Sequence, residues 1–212
     1  MDHKKIIIAL DGISPVRALQ IAKNLCGHVW VFKVNDLLFD DPAIIRSLKK
    51  YGNVFVDAKL HDIPNTVAHS TRRLAKLGAN IITVHASGGK EMMRAAKRAG
   101  GKSKIVAVTI LTSQKITSRK KVSGFVRDAI AAGVDGVVCS GHEIKTLKKI
   151  KGIGERIIIV PGVRPPWYTK KDDQKRTMTP KKAISLGADY IVIGRPITKA
   201  RDPLIAVRSL FA

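Results

Sequence analysis

The chain has 212 residues, 45% of them hydrophobic, 5% aromatic and only two of them cysteine. That is enough for one sizeable core and too apolar for a disordered segment, and no apolar run nears the roughly 18–20 residues that a membrane helix needs. The net charge of +23 comes from 39 Lys and Arg against 16 Asp and Glu; the basic pairs, from Lys4-Lys5 to Lys181-Lys182, are spread over nearly every predicted helix and loop, with no basic tail, zinc-finger spacing or RNP-like aromatic cluster, so solvated faces are expected rather than a nucleic-acid surface.

Met1-Asp2-His3-Lys4-Lys5 leads straight into a strand-like run, without a signal-peptide cleavage pattern, and a cytoplasmic protein is expected. From there one pattern repeats eight times, a short β-branched run followed by an amphipathic stretch. Strands are predicted at Ile6–Leu10, Val29–Lys33, Val54–Asp57, Asn80–Val84, Ile105–Thr109, Gly136–Cys139, Ile157–Val160 and Tyr190–Ile193. The helices between them start near Pro15, Pro42, Pro64, Lys90, Arg119, His142, Pro180 and Pro203. A first-turn proline costs nothing, because that N–H has no helical partner. Ser14, Asp41, Thr179 and Asp202 precede four of the prolines as N-caps, and Gly27, Gly52, Gly78, Gly100, Gly133 and Gly187 close helices as C-caps. Cys26 and Cys139 each stand in apolar surroundings, so two buried free thiols are expected.

Apolar strands alternating with helices imply a parallel sheet covered on both faces. Eight units in this length match an α/β fold, the (β/α)8 TIM barrel, as a single domain over 1–212; an open doubly wound sheet is the alternative. Asp11-Gly12-Ile13-Ser14-Pro15 stands after the first strand where a dinucleotide fingerprint would be. One connection is out of scale: Pro161 to Met178 is a long polar segment, and such a loop suits a lid, here at about 161–178.

A barrel builds its site at the C-terminal ends of its strands. Asp11 ends strand one, Lys33 strand two, and Asp57 and Lys59 strand three, with Asp62 just beyond. His85 follows strand four, Thr109 and Thr112 strand five, Arg164 strand seven, and Gly194-Arg195 strand eight. Singly these are ordinary rim residues. Together Asp11, Lys33, Asp57, Lys59 and Asp62 alternate in sign, as charges must if they are to share a poorly solvated pocket. The loops after strands seven and eight are the usual phosphate site of this fold, which points to Arg195 and to Gln174 in the long loop. No His or Cys pair stands at ligand spacing, and no nucleophile–base pair or cofactor fingerprint is present, so neither a metal nor a cofactor is expected.

These segments resemble the orotidine 5′-monophosphate decarboxylase family over nearly the whole chain. The matching residues are Ala9-Leu10-Asp11, Phe32-Lys33-Val34, Asp57-Ala58-Lys59-Leu60-His61-Asp62-Ile63-Pro64-Asn65-Thr66, Thr83-Val84-His85-Ala86, Ala107 to Ser113, Asp135 to Ser140, Pro161-Gly162-Val163-Arg164 and Ile193-Gly194-Arg195-Pro196. The Asp-x-Lys-x-x-Asp core is shared by a wider suprafamily; the His-Asp-Ile-Pro-Asn-Thr extension, with Lys33 and the Gly-Arg end, is far more specific. Two departures stand out: Asn35 replaces a common Gly after Lys33-Val34, and Ser113–Ser123 is shorter than in many relatives.

The resemblance implies a lyase of de novo pyrimidine biosynthesis that converts OMP to UMP and CO2 without metal or cofactor. Asp11 and Lys33 would hold ribose hydroxyls, Asp57 would face the substrate carboxylate, and Lys59 would protonate C6. Thr112 would touch the pyrimidine. Arg164, Gln174, Gly194 and Arg195 would take the phosphate under the Pro161–Met178 loop. Asp62, with Ile63 and Thr66, would enter a neighbouring subunit's site, so a homodimer is implied. The nearest rival is a Mg²⁺-dependent sugar-phosphate decarboxylase or aldolase of the same suprafamily, which Lys33 disfavours. A nucleic-acid-binding barrel is suggested by charge alone.

Overall fold

β-Branched runs too short for helices form eight strands: β1 (Ile6–Ala9), β2 (Val31–Val34), β3 (Asn53–Leu60), β4 (Ile81–His85), β5 (Lys104–Val108), β6 (Gly136–Val138), β7 (Ile157–Val160) and β8 (Tyr190–Ile193). The computed structural model describes residues 3–111, 118–169 and 177–211. Every strand pairs in parallel with the next, and β8 returns to β1, which closes the barrel. Among the described residues the helices are α1 (Pro15–Asn24), α2 (Leu37–Asp40), α3 (Ile44–Lys49), α4 (Pro64–Lys76), α5 (Gly89–Ala99), α6 (Arg119–Ala132), α7 (Ile144–Leu147), α8 (Pro180–Leu186), α9 (Arg195–Thr198) and α10 (Pro203–Arg208). None is long and apolar enough to cross a membrane.

Strand alternation divides the core in two. Ile7, Ala9, Val31, Phe55, Ile81, Val106, Ile159 and Val192 fill the barrel interior. Ile6, Ile8, Phe32, Val34, Val54, Val56 and Ile82 face outward into the larger core beneath the helices. Two residues further along their strands, Lys33, Asp57 and Thr83 follow Val31, Phe55 and Ile81 on the inner face. A polar layer thus lies directly on the apolar filling.

Most predicted boundaries move by a residue or two at the strand ends, and several local expectations change. The second helical stretch is broken: α2 forms before Pro42 and α3 starts at Ile44. Asp41 accepts the Ala43 N–H at 2.8 Å and so organises the turn between them. Ser14, Thr179 and Asp202 do cap α1, α8 and α10, accepting N–H groups of Arg17, Lys182 and Leu204. Before α7, His142 sits in a short 3-10 turn, Gly141–Glu143. Gly133 and Gly187 end α6 and α8 in left-handed conformation, while at the end of α5 it is Gly101, not Gly100, that has positive φ. Cys139 is buried, but Cys26 is exposed, contrary to expectation. Leu25 takes the inward position after α1, and the next residue turns away from the core.

Candidate active site

The strand-end charges converge. Lys33 Nζ lies 2.6 and 2.9 Å from the two carboxylate oxygens of Asp11 and 3.4 Å from Asp57 Oδ2. Lys59 Nζ donates to the same Asp57 oxygen at 2.9 Å. Asp11, Lys33, Asp57 and Lys59 thus form one string of alternating charge across β1, β2 and β3. Lys33 and Asp57 are only 5% and 9% exposed, so each needs its partners. Burial pushes the Lys33 pKa down, but the nearby Asp57 and Asp11 carboxylates outweigh it and hold the ammonium above its ordinary value.

β3 does not stay regular to its end. Its register against β4 runs Phe55–Ile81 and Val56–Ile82, then shifts to Leu60–Val84. Within this bulge Lys59 has φ +46°, the only positive φ of a non-glycine among the described residues. Left-handed backbone costs an ordinary residue roughly 1–2 kcal/mol, and bulges re-aim side chains. Simple alternation past Asp57 therefore fails, yet Lys59 still reaches back to Asp57. Two neutral side chains brace the bend. Asn35 Nδ2 donates to the Asp57 carbonyl at 2.6 Å, and Thr83 Oγ1 bonds both the Lys59 N–H and Asp57 Oδ1.

A cavity of about 490 Å³ opens above this string. Its lining includes the charged Asp11, Lys33, Asp57 and Lys59 together with Arg164, Gly194, Arg195 and Lys199, and the apolar Ile110, Val138 and Cys139. Gly194 packs so closely on β1 that a Cβ there would come 3.3 Å from that of Ala9. The base of the long loop is tied: Val163 bridges Met178, and the Arg164 N–H bonds the Met178 carbonyl at 2.9 Å. Thr112 and Gln174 lie outside the described residues.

Asp62 leaves the string. It is exposed, and its carboxylate accepts its neighbour's N–H, that of Ile63, at 2.6 Å. Asp62 and Thr66 line a second cavity of about 650 Å³, with Asn35, Phe39, His61 and Arg73. Lys59 lines both cavities. His85 stacks on His61 with ring centres 5.4 Å apart, and its Nδ1 accepts the Ser87 N–H at 3.3 Å and lies 2.6 Å from the Ser87 hydroxyl. Burial lowers the His85 pKa, and His61 and Lys59 lower it further.

The model of the orotidine 5′-phosphate decarboxylase / HUMPS family matches residues 4–210. The chain belongs to that family. An orotidine 5′-phosphate decarboxylase of Dichelobacter nodosus is 42% identical, with 100% of this chain and 99% of the relative covered. One of Lactococcus lactis is 46% identical over 80% of this chain and 79% of the relative. The crystal structure of orotidine 5′-phosphate decarboxylase from Lactobacillus acidophilus superposes with a TM-score of 0.83 at 33% identity, covering 98% of this chain and 97% of that one. That of Pyrococcus horikoshii gives 0.80 at 28% identity, with 97% and 96% covered. The fold is accordingly the (β/α)8 barrel of the decarboxylase family, and the charged string occupies the strand ends where such barrels build their sites.

Sequence reasoning passed over Asn35 as a mere departure and gave Thr83 and Lys199 no role. A polar residue directly after Lys33-Val34 was a usable signal for Asn35. Thr83 carried none, since threonine is an ordinary strand residue.

Proposed function

We propose that this chain decarboxylates orotidine 5′-monophosphate to UMP, with Lys59 as the proton donor and no metal in the reaction. The observation that carries the reading is the Asp11–Lys33–Asp57–Lys59 string facing Arg164 and Arg195 in one cavity. Loss of CO2 leaves an electron pair on a ring carbon with no adjacent sink, so the site must favour that carbanion-like state over the bound substrate. An ammonium already fixed beside the reacting carbon does so without reorganising. Asp57 holds Lys59 and presents negative charge to the departing carboxylate. Asp11 and Lys33 contact ribose hydroxyls. Both cavity carboxylates are matched by ammonium groups, which suits a metal-free site.

At the other end Arg164, Gly194 and Arg195 receive the phosphate, and the Pro161–Met178 segment closes as a lid carrying Gln174, with Thr112 at the pyrimidine. Binding energy gained there is spent on closure and water exclusion around C6. The pinned Val163–Met178 base gives the lid a fixed hinge.

The active form is a homodimer. Phe39 and Ile63 are 89% and 66% exposed beside the second cavity, a combination that favours burial against another surface. Since Lys59 lines both cavities, a partner's Asp62, flanked by Ile63 and Thr66, entering from that side meets the ammonium and extends the string by one carboxylate.

The test is to add orotidine monophosphate to the purified protein and follow its ultraviolet absorbance with and without EDTA. Turnover that survives EDTA is expected. Turnover abolished by EDTA and restored by Mg²⁺ would favour the metal-dependent sugar-phosphate chemistry of the wider suprafamily, and salt-sensitive RNA binding without turnover a nucleic-acid role.

A further inference from the structure

Thr83 is fully buried on the inner face of β4, and its hydroxyl is used twice. The Lys59 backbone N–H can only donate, so it takes a lone pair of Thr83 Oγ1, at 2.9 Å. A carboxylate can only accept, so the hydroxyl proton goes to Asp57 Oδ1, at 3.0 Å. One oxygen therefore fixes the backbone of Lys59 and the carboxylate of Asp57 together. It does so where the register of β3 against β4 shifts. It also acts at the residue whose φ of +46° needs outside support. With Oδ1 held by Thr83, Asp57 turns Oδ2 toward both ammonium groups.

We propose that Thr83 is a positioning residue of the site. Its hydroxyl sets the register of the Asp57–Lys59 bend, and through it the direction from which the Lys59 ammonium approaches the reacting carbon. The catalytic part of this rests on the decarboxylase reading; the positioning of Lys59 does not. Asn35, just past β2, bonds the Asp57 carbonyl and braces the same bend from the other side. Thr83 couples the Lys59 backbone N–H to the Asp57 carboxylate through one hydroxyl, beside the direct contact of the Lys59 ammonium with Asp57.

The experiment compares Thr83→Val, which keeps the shape and removes the hydroxyl, with Thr83→Ser, which keeps the hydroxyl. Thr83→Ala replaces the valine variant if that one does not fold. Misplacing a reacting group by about an ångström costs on the order of 100-fold in rate. Thr83→Val is expected to lower kcat by about 10- to 100-fold while KM, set largely by the phosphate end, moves by less than about threefold. Thr83→Ser recovers most of kcat. A loss of kcat below about twofold in Thr83→Val, or an equal loss in Thr83→Ser, overturns the proposal. A second readout needs no turnover: the rate at which an amine-acylating reagent modifies Lys59 relative to Lys90, followed by mass spectrometry. Thr83→Val releases the bend and accelerates modification of Lys59, and an unchanged ratio overturns the proposal. If the wild-type chain does not consume orotidine monophosphate, the decarboxylase reading fails and the acylation ratio alone decides the role of Thr83.

Discussion

Burial of the Lys33 ammonium strips it of water, and the paired carboxylates of Asp57 and Asp11 more than restore its preference for charge. The sign of the pH dependence follows. A lysine held above its ordinary value of about 10.5 stabilises the fold fully below that value and loses its contribution only as pH rises through the higher folded value. Lys33 therefore stays charged across the neutral range. His85 runs the other way. Its pKa is lowered, so the unfolded chain takes up a proton first as pH falls below about 6.5, and stability drops through the window beneath it. His85→Gln should flatten that acid limb in urea melts at a series of pH values; an unchanged limb would assign it to other groups. At this scale the sequence was legible wherever charge was involved. A lysine or aspartate ending an apolar run is conspicuous, and Asp11, Lys33, Asp57 and Lys59 do meet. Thr83 was not legible, because a neutral strand residue becomes special only through what lies across from it, whereas Asn35 stood out only as a polar residue after Lys33-Val34. Asp62 stands apart from the four that meet: it is exposed and bonds the Ile63 N–H, outside the string within its own barrel.

Among the elements, strands were readable from their β-branched runs and helices from their caps, because both signals are local. The bulge in β3 was not. It is a mismatch between two strands separated by a helix, and neither strand states it alone. The same holds for close approaches in the ladder. Gly136 opens β6 where a Cβ would stand 2.5 Å from the Ile157 carbonyl oxygen and 2.9 Å from its Cβ. Neither can give way, since both belong to β7 in the paired register Gly136–Ile157. Gly136→Ala should therefore destabilise the barrel by about 1–3 kcal/mol, read from the urea midpoint, although alanine suits most strands no worse than glycine. Unchanged stability would mean that β6 and β7 separate freely at this point.

For the whole molecule, the dimer carries the strongest prediction. If Lys59 of one protomer and Asp62 of the other share a site, Lys59→Ala and Asp62→Ala chains are each inactive alone. Mixed and allowed to exchange, they should regain roughly a quarter of wild-type activity, because half the dimers are hybrids and each hybrid has one intact site. No recovery in a mixture shown to contain hybrids would place both residues in the same protomer's site. Closure of the barrel was legible from the eightfold count, as sheet closure needs only the right number of like units. The second cavity was not, because a surface concavity assembled from several elements carries no periodic signal. The charge of +23 belongs to this scale too: if the substrate is an anion, such a field should speed its association, and salt should weaken that effect.

If the Lys59 ammonium, held at 2.9 Å by Asp57, supplies the proton that replaces CO2, its removal should end turnover. The most direct test is a single-turnover measurement of the orotidine monophosphate absorbance change with Lys59→Ala beside the wild-type chain. The variant is expected to bind substrate and to show no decarboxylation above the uncatalysed rate. A near-normal kcat in Lys59→Ala would contradict it.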